Sequence, residues 1–223
     1  YPADDRPETL RDVKLSNDFT NGWFLEPILR GRYPDKLFAN LGVTDPPIQE
    51  GDMELISAPI DFLGINNYSR TLIRGAAVQP LADSCETVSP VPEASYTAMA
   101  WEIYPQGLRD LLLQLHQEYT LPNTYITENG AAFTDVLESD GQIHDPRRID
   151  YLRTYLAGLT EAIEQGVPLR GYFAWSLMDN FEWAEGYSKR FGIVYVDYTT
   201  QQRLVKESGH WYAALLAASH GTR

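Results

Sequence analysis

The sequence predicts an α/β chain in which parallel strands are joined by helices. Three observations carry that prediction. Short apolar runs, too brief for helices, occur in IDFLGINNYS, NTYIT and RGYFAWSL. Segments with apolar residues at helical spacing lie between and after them. The resulting order is helix, strand, helix, strand, helix, strand, helix, which is what parallel strands with helical crossovers produce. A doubly wound sheet and a β/α barrel both satisfy it, although only three clear strands are found.

Each element has a local reason. Pro7 suits the first turn of a helix over about 7–29, Glu8 favours the same end, and Gly31 follows its close. Phe19, Trp23 and Phe24 give this helix an apolar side. Residues 33–59 are dense in turn formers (YPDK, TDPP, EGD) and read as loop, with one short helix near Met53 to Ser57. Ile60, Phe62, Leu63 and Ile65 make a buried strand. Residues 74–100 hold Pro80, Pro90 and Pro92 and read as a long loop.

PQGLRDLLLQLHQEY places Leu108, Leu111, Leu112, Leu115 and Tyr119 on one helical face. NTYIT is a strand between Pro122 and the turn signal Asn129-Gly130. The next helix has Asp145 as cap, Pro146 in the first position and Gly166 past the end, with Ile149, Leu152, Leu156, Leu159 and Ile163 as its buried face. RGYFAWSL is a third buried strand, FGIVYVDY a short strand element, and SGHWYAALLAAS a closing helix with Ser208 as cap.

Composition narrows the function. The chain has 223 residues, 43% hydrophobic and 22% charged, which is globular and expected to form a single domain over 1–223. A net charge of -13 argues against nucleic acid and anionic membranes as partners. The one cysteine, Cys85, permits no intrachain disulfide. No run spans a bilayer and YPADDRPETL has no signal-peptide pattern, so a soluble, cytoplasmic protein is expected. His116, His144, His210 and His220 lack metal-ligand spacing, so no metal and no cofactor are expected.

The loops after the strands hold the chemistry. Asn66, Asn67 and Tyr68 follow the first strand, Glu128 and Asn129 the second, and Trp175, Asp179, Asn180, Glu182 and Trp183 the third. In any parallel β/α arrangement these ends converge at the carboxyl edge of the sheet. Tryptophan faces stack on the C–H faces of pyranose rings, and carboxylates and amides hydrogen-bond sugar hydroxyls. A glutamate at the anomeric carbon can act as nucleophile, with a tyrosine holding it. Taken singly, Glu128 also fits a solvated turn, Tyr68 and Trp175 fit core packing, and Asp179 and Asn180 fit local loop bonds.

The stretches DFLGINNY, AWEIYPQGL, YITENG, DPRRIDYL and GYFAWSLMDNFEWAEGYSKRFGIVYVDY together resemble family 1 glycoside hydrolases, the β-glucosidase family. The resemblance implies a (β/α)8 TIM barrel and retaining hydrolysis of β-glycosides. By it, Glu128 matches the nucleophile and Tyr68 the tyrosine that hydrogen-bonds it, with Asn66 beside them. Trp175, Glu182 and Trp183 match residues holding the glycone, Trp101 an aromatic on the aglycone side, and Phe191 an aromatic near the glycone pocket. Glu182 implies a non-phosphorylated sugar, since a carboxylate there repels a 6-phosphate. Asn67 departs from the family, which commonly has an aromatic residue at that position.

Retaining hydrolysis needs a second carboxyl group about 5–5.5 Å from the nucleophile. The family's acid/base lies in an Asn-Glu-Pro motif that this chain lacks. Glu26-Pro27 in FLEPILRG has Leu25 in place of the asparagine and resembles a later helix. The chain therefore resembles the C-terminal half of the barrel, strands six to eight with flanking helices, and is expected to need a complementary N-terminal barrel half. Two other readings stand beside this one: a non-catalytic sugar-binding half-barrel, and an unrelated, metal-dependent β/α enzyme.

Overall fold

The structure is a computed structural model that describes residues 1–75, 86–89, 91 and 94–220, with only the backbone of His220. Cys85, Pro80, Pro90, Pro92 and much of the expected loop over 74–100 lie outside the described residues. In chain order the elements are α1 Pro7–Asn17, a π-turn Asp18–Gly22, α2 Trp23–Arg30, α3 Leu37–Asn40, α4 Asp52–Ile56, β1 Phe62–Asn66, β2 Ile73–Arg74 and β3 Glu86–Thr87. There follow α5 Pro105–Glu118, β4 Asn123–Asn129, α6 Pro146–Glu164, β5 Leu169–Ala174, a 3-10 turn Trp183–Glu185, β6 Val194–Val196, β7 Arg203–Val205 and α7 Glu207–His220. They form two compact units, one of Tyr1–Asp61 with Arg70–Glu93, the other of Phe62–Ser69 with Ala94–Arg223.

The first unit is mostly helical. The single helix expected over 7–29 is instead two helices separated by the π-turn. Gly22 ends that turn where Pro34 crosses, and a Cβ there would lie 3.2 Å from the Pro34 ring. Gly31 takes φ +65°, the left-handed cap that a residue with a Cβ resists, and its N–H closes on Pro27 O at 3.0 Å. Glu26 is paired with Arg30 at 2.7 Å, an intrahelical ion pair.

The second unit holds the parallel sheet, in the order β1-β4-β5. One sheet face supplies Ile65, Ile126, Leu169 and Tyr172 to a core completed by Leu108 and Leu112 of α5 and Tyr151, Tyr155 and Leu159 of α6. On the other face Phe62 and Phe173 remain 57% and 58% exposed, and Phe62 meets the Tyr125 ring edge-on at 5.6 Å. β6 and β7 pair as an antiparallel hairpin. Among the described residues no helix is long and apolar enough to cross a membrane.

Helix α6 departs from its expected face. Ile163 is 49% exposed, whereas Arg148, Tyr151 and Tyr155 are buried with Leu152 and Leu159. The stripe is rotated because Arg148 has buried anions to meet. Asp145 does not cap its own helix by its side chain. Its carboxylate accepts the Ser208 N–H at 2.8 Å and the Ser208 hydroxyl at 2.6 Å, and so caps the start of α7 instead.

Candidate active site

Glu128 reaches its position through a defect in β4. The β1–β4 register pairs Ile65 with Ile126 and then Asn66 with Glu128, so Thr127 is an extra residue. Strict alternation would send Glu128 to the face of Thr124 and Ile126, which are wholly buried. The bulge moves it to the face of Asn66 instead. Asn129, one residue on, goes into the core and is 0% exposed.

The Tyr68 hydroxyl donates to Glu128 Oε2 at 2.7 Å. Burial raises the Tyr68 pKa well above its ordinary value, and the Glu128 bond and charge raise it further, so the phenol keeps its proton and remains a donor. The Glu182 charge acts in the same direction, which places its carboxylate within electrostatic reach of Tyr68. Tyr68, Trp101 and Phe191 form a three-ring cluster, with centroids 5.0 Å, 6.0 Å and 6.1 Å apart. Trp101 is held by a turn in which Thr97 N–H donates to its carbonyl at 2.9 Å. Asn66 Oδ1 accepts the Thr127 hydroxyl at 2.6 Å, at the bulge itself.

The third strand end approaches without side-chain clearance. A Cβ on Gly130 would fall 1.9 Å from the Trp175 carbonyl oxygen, which explains a glycine immediately past Asn129. Trp175 N–H donates to Asn129 O at 2.9 Å. Trp175 is partly buried, and the Trp175–Ser176 peptide is cis. Trp183 sits on the 3-10 turn at φ +41° with 82% of its surface exposed, outside the three-ring cluster.

The loop that carries Glu182 and Phe191 is tied down by buried charges. Asp179, with a fully buried side chain, accepts Arg190 Nη1 at 2.6 Å, Lys206 Nζ at 2.8 Å and Gly192 N–H at 3.0 Å. Lys206 also donates to Asp135 at 2.6 Å, and Arg148 bridges Asp135, Asp145 and the Arg190 carbonyl. Burial, then the Arg148 charge, lowers the Lys206 pKa, while Asp135 and Asp179 oppose that shift. Three cations thus meet three carboxylates, which neutralises what would otherwise be prohibitive buried charge.

The structure therefore brings Tyr68, Trp101, Glu128 and Phe191 into one cluster, with Glu182 in electrostatic reach. It places Asn66 at the bulge, joins Trp175 to it through the backbone, and leaves Trp183 on the exposed rim. Asp179 does more than the local loop bonding expected of it. Arg148 and Lys206 were missed, and an arginine on the buried stripe of an amphipathic helix was the available signal. Asn129 is expected at this strand end and as part of an Asn-Gly turn, but its place in the core is not. Among the described residues, no group of three or more His, Cys, Asp or Glu side chains could hold a metal ion.

A sequence profile described as "Glycosyl hydrolase family 1" matches residues 1–221. "Beta-glucosidase A" of Thermotoga maritima is 49% identical over 214 residues, 95% of this chain and 47% of that protein. A "Bifunctional beta-D-glucosidase/beta-D-fucosidase" of Bifidobacterium breve is 46% identical, covering 91% and 47%. Among solved structures, "Family 1 b-glucosidase from Thermotoga maritima" superposes with a TM-score of 0.90 at 46% identity, over 97% of this chain and 48% of the other. The chain spans about half the length of the relatives it matches.

Proposed function

Because the chain belongs to glycosyl hydrolase family 1, we propose that it forms part of a retaining β-glycosidase acting on a non-phosphorylated, glucose-like sugar. Glu128 is the nucleophile in this reading. Its carboxylate attacks the anomeric carbon, the bond from C1 to the aglycone oxygen breaks, and water later releases the sugar from Glu128. Tyr68 orients Glu128. Trp175, Glu182 and Trp183 hold the glycone, Phe191 lies near it, and Trp101 lies toward the aglycone with Asn66 beside the nucleophile.

The observation that carries this reading is the 2.7 Å hydrogen bond from Tyr68 to a glutamate that a bulge has turned out of the core. Without the bulge this glutamate would share the buried face of Thr124 and Ile126. The nearest partner found is instead a neutral donor within an aromatic cluster.

The proton for the leaving group comes from an acid/base outside this sequence, on the remaining strands of a (β/α)8 barrel. This chain supplies the part equivalent to strands six to eight. The exposed aromatic face of Phe62 and Phe173 supports the presence of further barrel strands, which would enclose it. The test is Glu128→Gln in protein that includes those strands. Hydrolysis should be abolished with folding intact, and unchanged hydrolysis would refute the nucleophile assignment.

A further inference from the structure

The β4 bulge turns Glu128 to the site side and Asn129 to the core side. Bulges persist where something fixes them, because the extra residue interrupts the ladder. At this one, every polar group of the Asn129 side chain is engaged. Nδ2 donates to Asn67 O on the β1 side at 2.8 Å and to the Tyr151 hydroxyl of α6 at 2.9 Å. Oδ1 accepts the Tyr172 hydroxyl of β5 at 2.9 Å. Its backbone carbonyl accepts Trp175 N–H at 2.9 Å and Tyr172 again at 3.2 Å.

The amide's donors and acceptor are engaged beside a core of aliphatic and aromatic side chains. There an unmade hydrogen bond leaves a desolvated polar group, so the pattern of partners selects one register. The neighbouring backbone follows it: Asn67 N–H donates to Glu128 O at 3.0 Å, and Tyr68 follows immediately after Asn67. One buried amide therefore ties β4, which carries Glu128, to the segment before Tyr68 through Asn67 and to β5, which leads to Trp175, through Tyr172.

We propose that Asn129 is the positioning residue of this site. Its side chain locks the bulge that aims Glu128 at Tyr68 and holds β4 to Tyr172 of β5. It touches no substrate. The inference rests on Glu128 being the nucleophile, as proposed above. Without the amide, β4 can relax toward plain alternation, which would carry Glu128 back toward the core face.

The test compares Asn129→Ala, Tyr172→Phe and Ile126→Val with the parent, each in protein that includes the remaining barrel strands. Ile126→Val removes one buried methyl group from the same strand without touching the amide, so it reports general loosening. The probe is 2,4-dinitrophenyl 2-deoxy-2-fluoro-β-glucoside, and the readouts are its trapping rate at saturation and the concentration giving half the maximal rate. Asn129→Ala should slow saturated trapping at least 30-fold and Tyr172→Phe about 3- to 10-fold, with half-saturation within threefold of the parent and Ile126→Val trapping at the parental rate. If Asn129→Ala does not fold, Tyr172→Phe against Ile126→Val decides. Equal trapping rates in these two, or a loss confined to half-saturation, overturns the positioning role. A parent that is never labelled on Glu128 overturns the nucleophile reading and this inference together.

Discussion

Replacing Tyr68 by phenylalanine removes one hydrogen bond and little else. The ring would keep its contacts with Trp101 at 5.0 Å and Phe191 at 6.1 Å. The lost bond is an O–H donor on a carboxylate at 2.7 Å in a half-buried setting. Such charge-assisted bonds are worth about 1.5–3 kcal/mol, or about 10- to 100-fold in rate. The step that suffers follows from where charge moves. When Glu128 attacks, its negative charge disperses; when water releases the sugar, the carboxylate charge returns. The Tyr68 bond strengthens during that second step, so its loss slows release of the sugar most.

Steady-state kinetics on 2,4-dinitrophenyl β-glucoside, in protein that includes the remaining strands, reads this directly. Tyr68→Phe should lower kcat about 10- to 100-fold and lower KM with it, because the glycosyl-enzyme accumulates. Intact mass under turnover should show that species. A kcat within threefold of the parent, or a fall in kcat with a rising KM and no accumulated adduct, would show that Tyr68 does not stabilise the release step.

Three further outcomes are expected. Asp179→Asn leaves Lys206 and Arg190 short of a buried anion, and breaking such a network by one partner costs about 3–5 kcal/mol, so urea denaturation should move by that order; a change under about 1 kcal/mol would contradict the account. The hydrogen bond to Asp140 raises the His144 pKa, with the Glu138 charge and a hydrogen bond to Glu207 alongside, and the same bond lowers that of Asp140. The stability from His144 is thus complete below its ordinary pKa of about 6.5 and fades as pH rises through the raised value, while that from Asp140 is complete above about 4 and fades on acidification. An NMR titration should show His144 falling toward its ordinary value in Asp140→Asn, and no movement would disprove the pairing. Finally, Glu182 should make the aryl β-glucoside a better substrate than its 6-phosphate, and faster turnover of the phosphate would sink the role given to that carboxylate.

Much of this was legible in the residues because it depends on local pattern. The three strands were marked by runs too short for helices, and α5 and α6 by their leucine spacing and N-terminal prolines. Tyr68, Glu128 and Glu182 stand out as polar residues after strand ends, and the resemblance to family 1 glycoside hydrolases gives them their expected roles. The bulge was not legible, since one extra residue in NTYITEN leaves no compositional trace. Nor was the task of Asn129, because Asn-Gly is also the commonest turn signal. The ion network was hidden for a related reason. Asp135, Asp145 and Asp179 each look like capping or loop residues until the fold places Arg148 and Lys206 between them. The apolar spacing of α6 points to a different stripe because it counts apolar residues, while an arginine paired with two buried carboxylates holds part of the true face.

The most direct test of Glu128 as nucleophile is an intact mass spectrum after exposure to 2,4-dinitrophenyl 2-deoxy-2-fluoro-β-glucoside, followed by peptide mapping. That leaving group needs little protonation, so labelling depends on the nucleophile and the glycone site rather than on the acid/base. If Glu128 is the nucleophile, one fluoroglucosyl group should be added, mapping to Glu128 and absent from Glu128→Gln. An adduct on any other residue, or none in protein that includes the remaining barrel strands, would contradict that assignment.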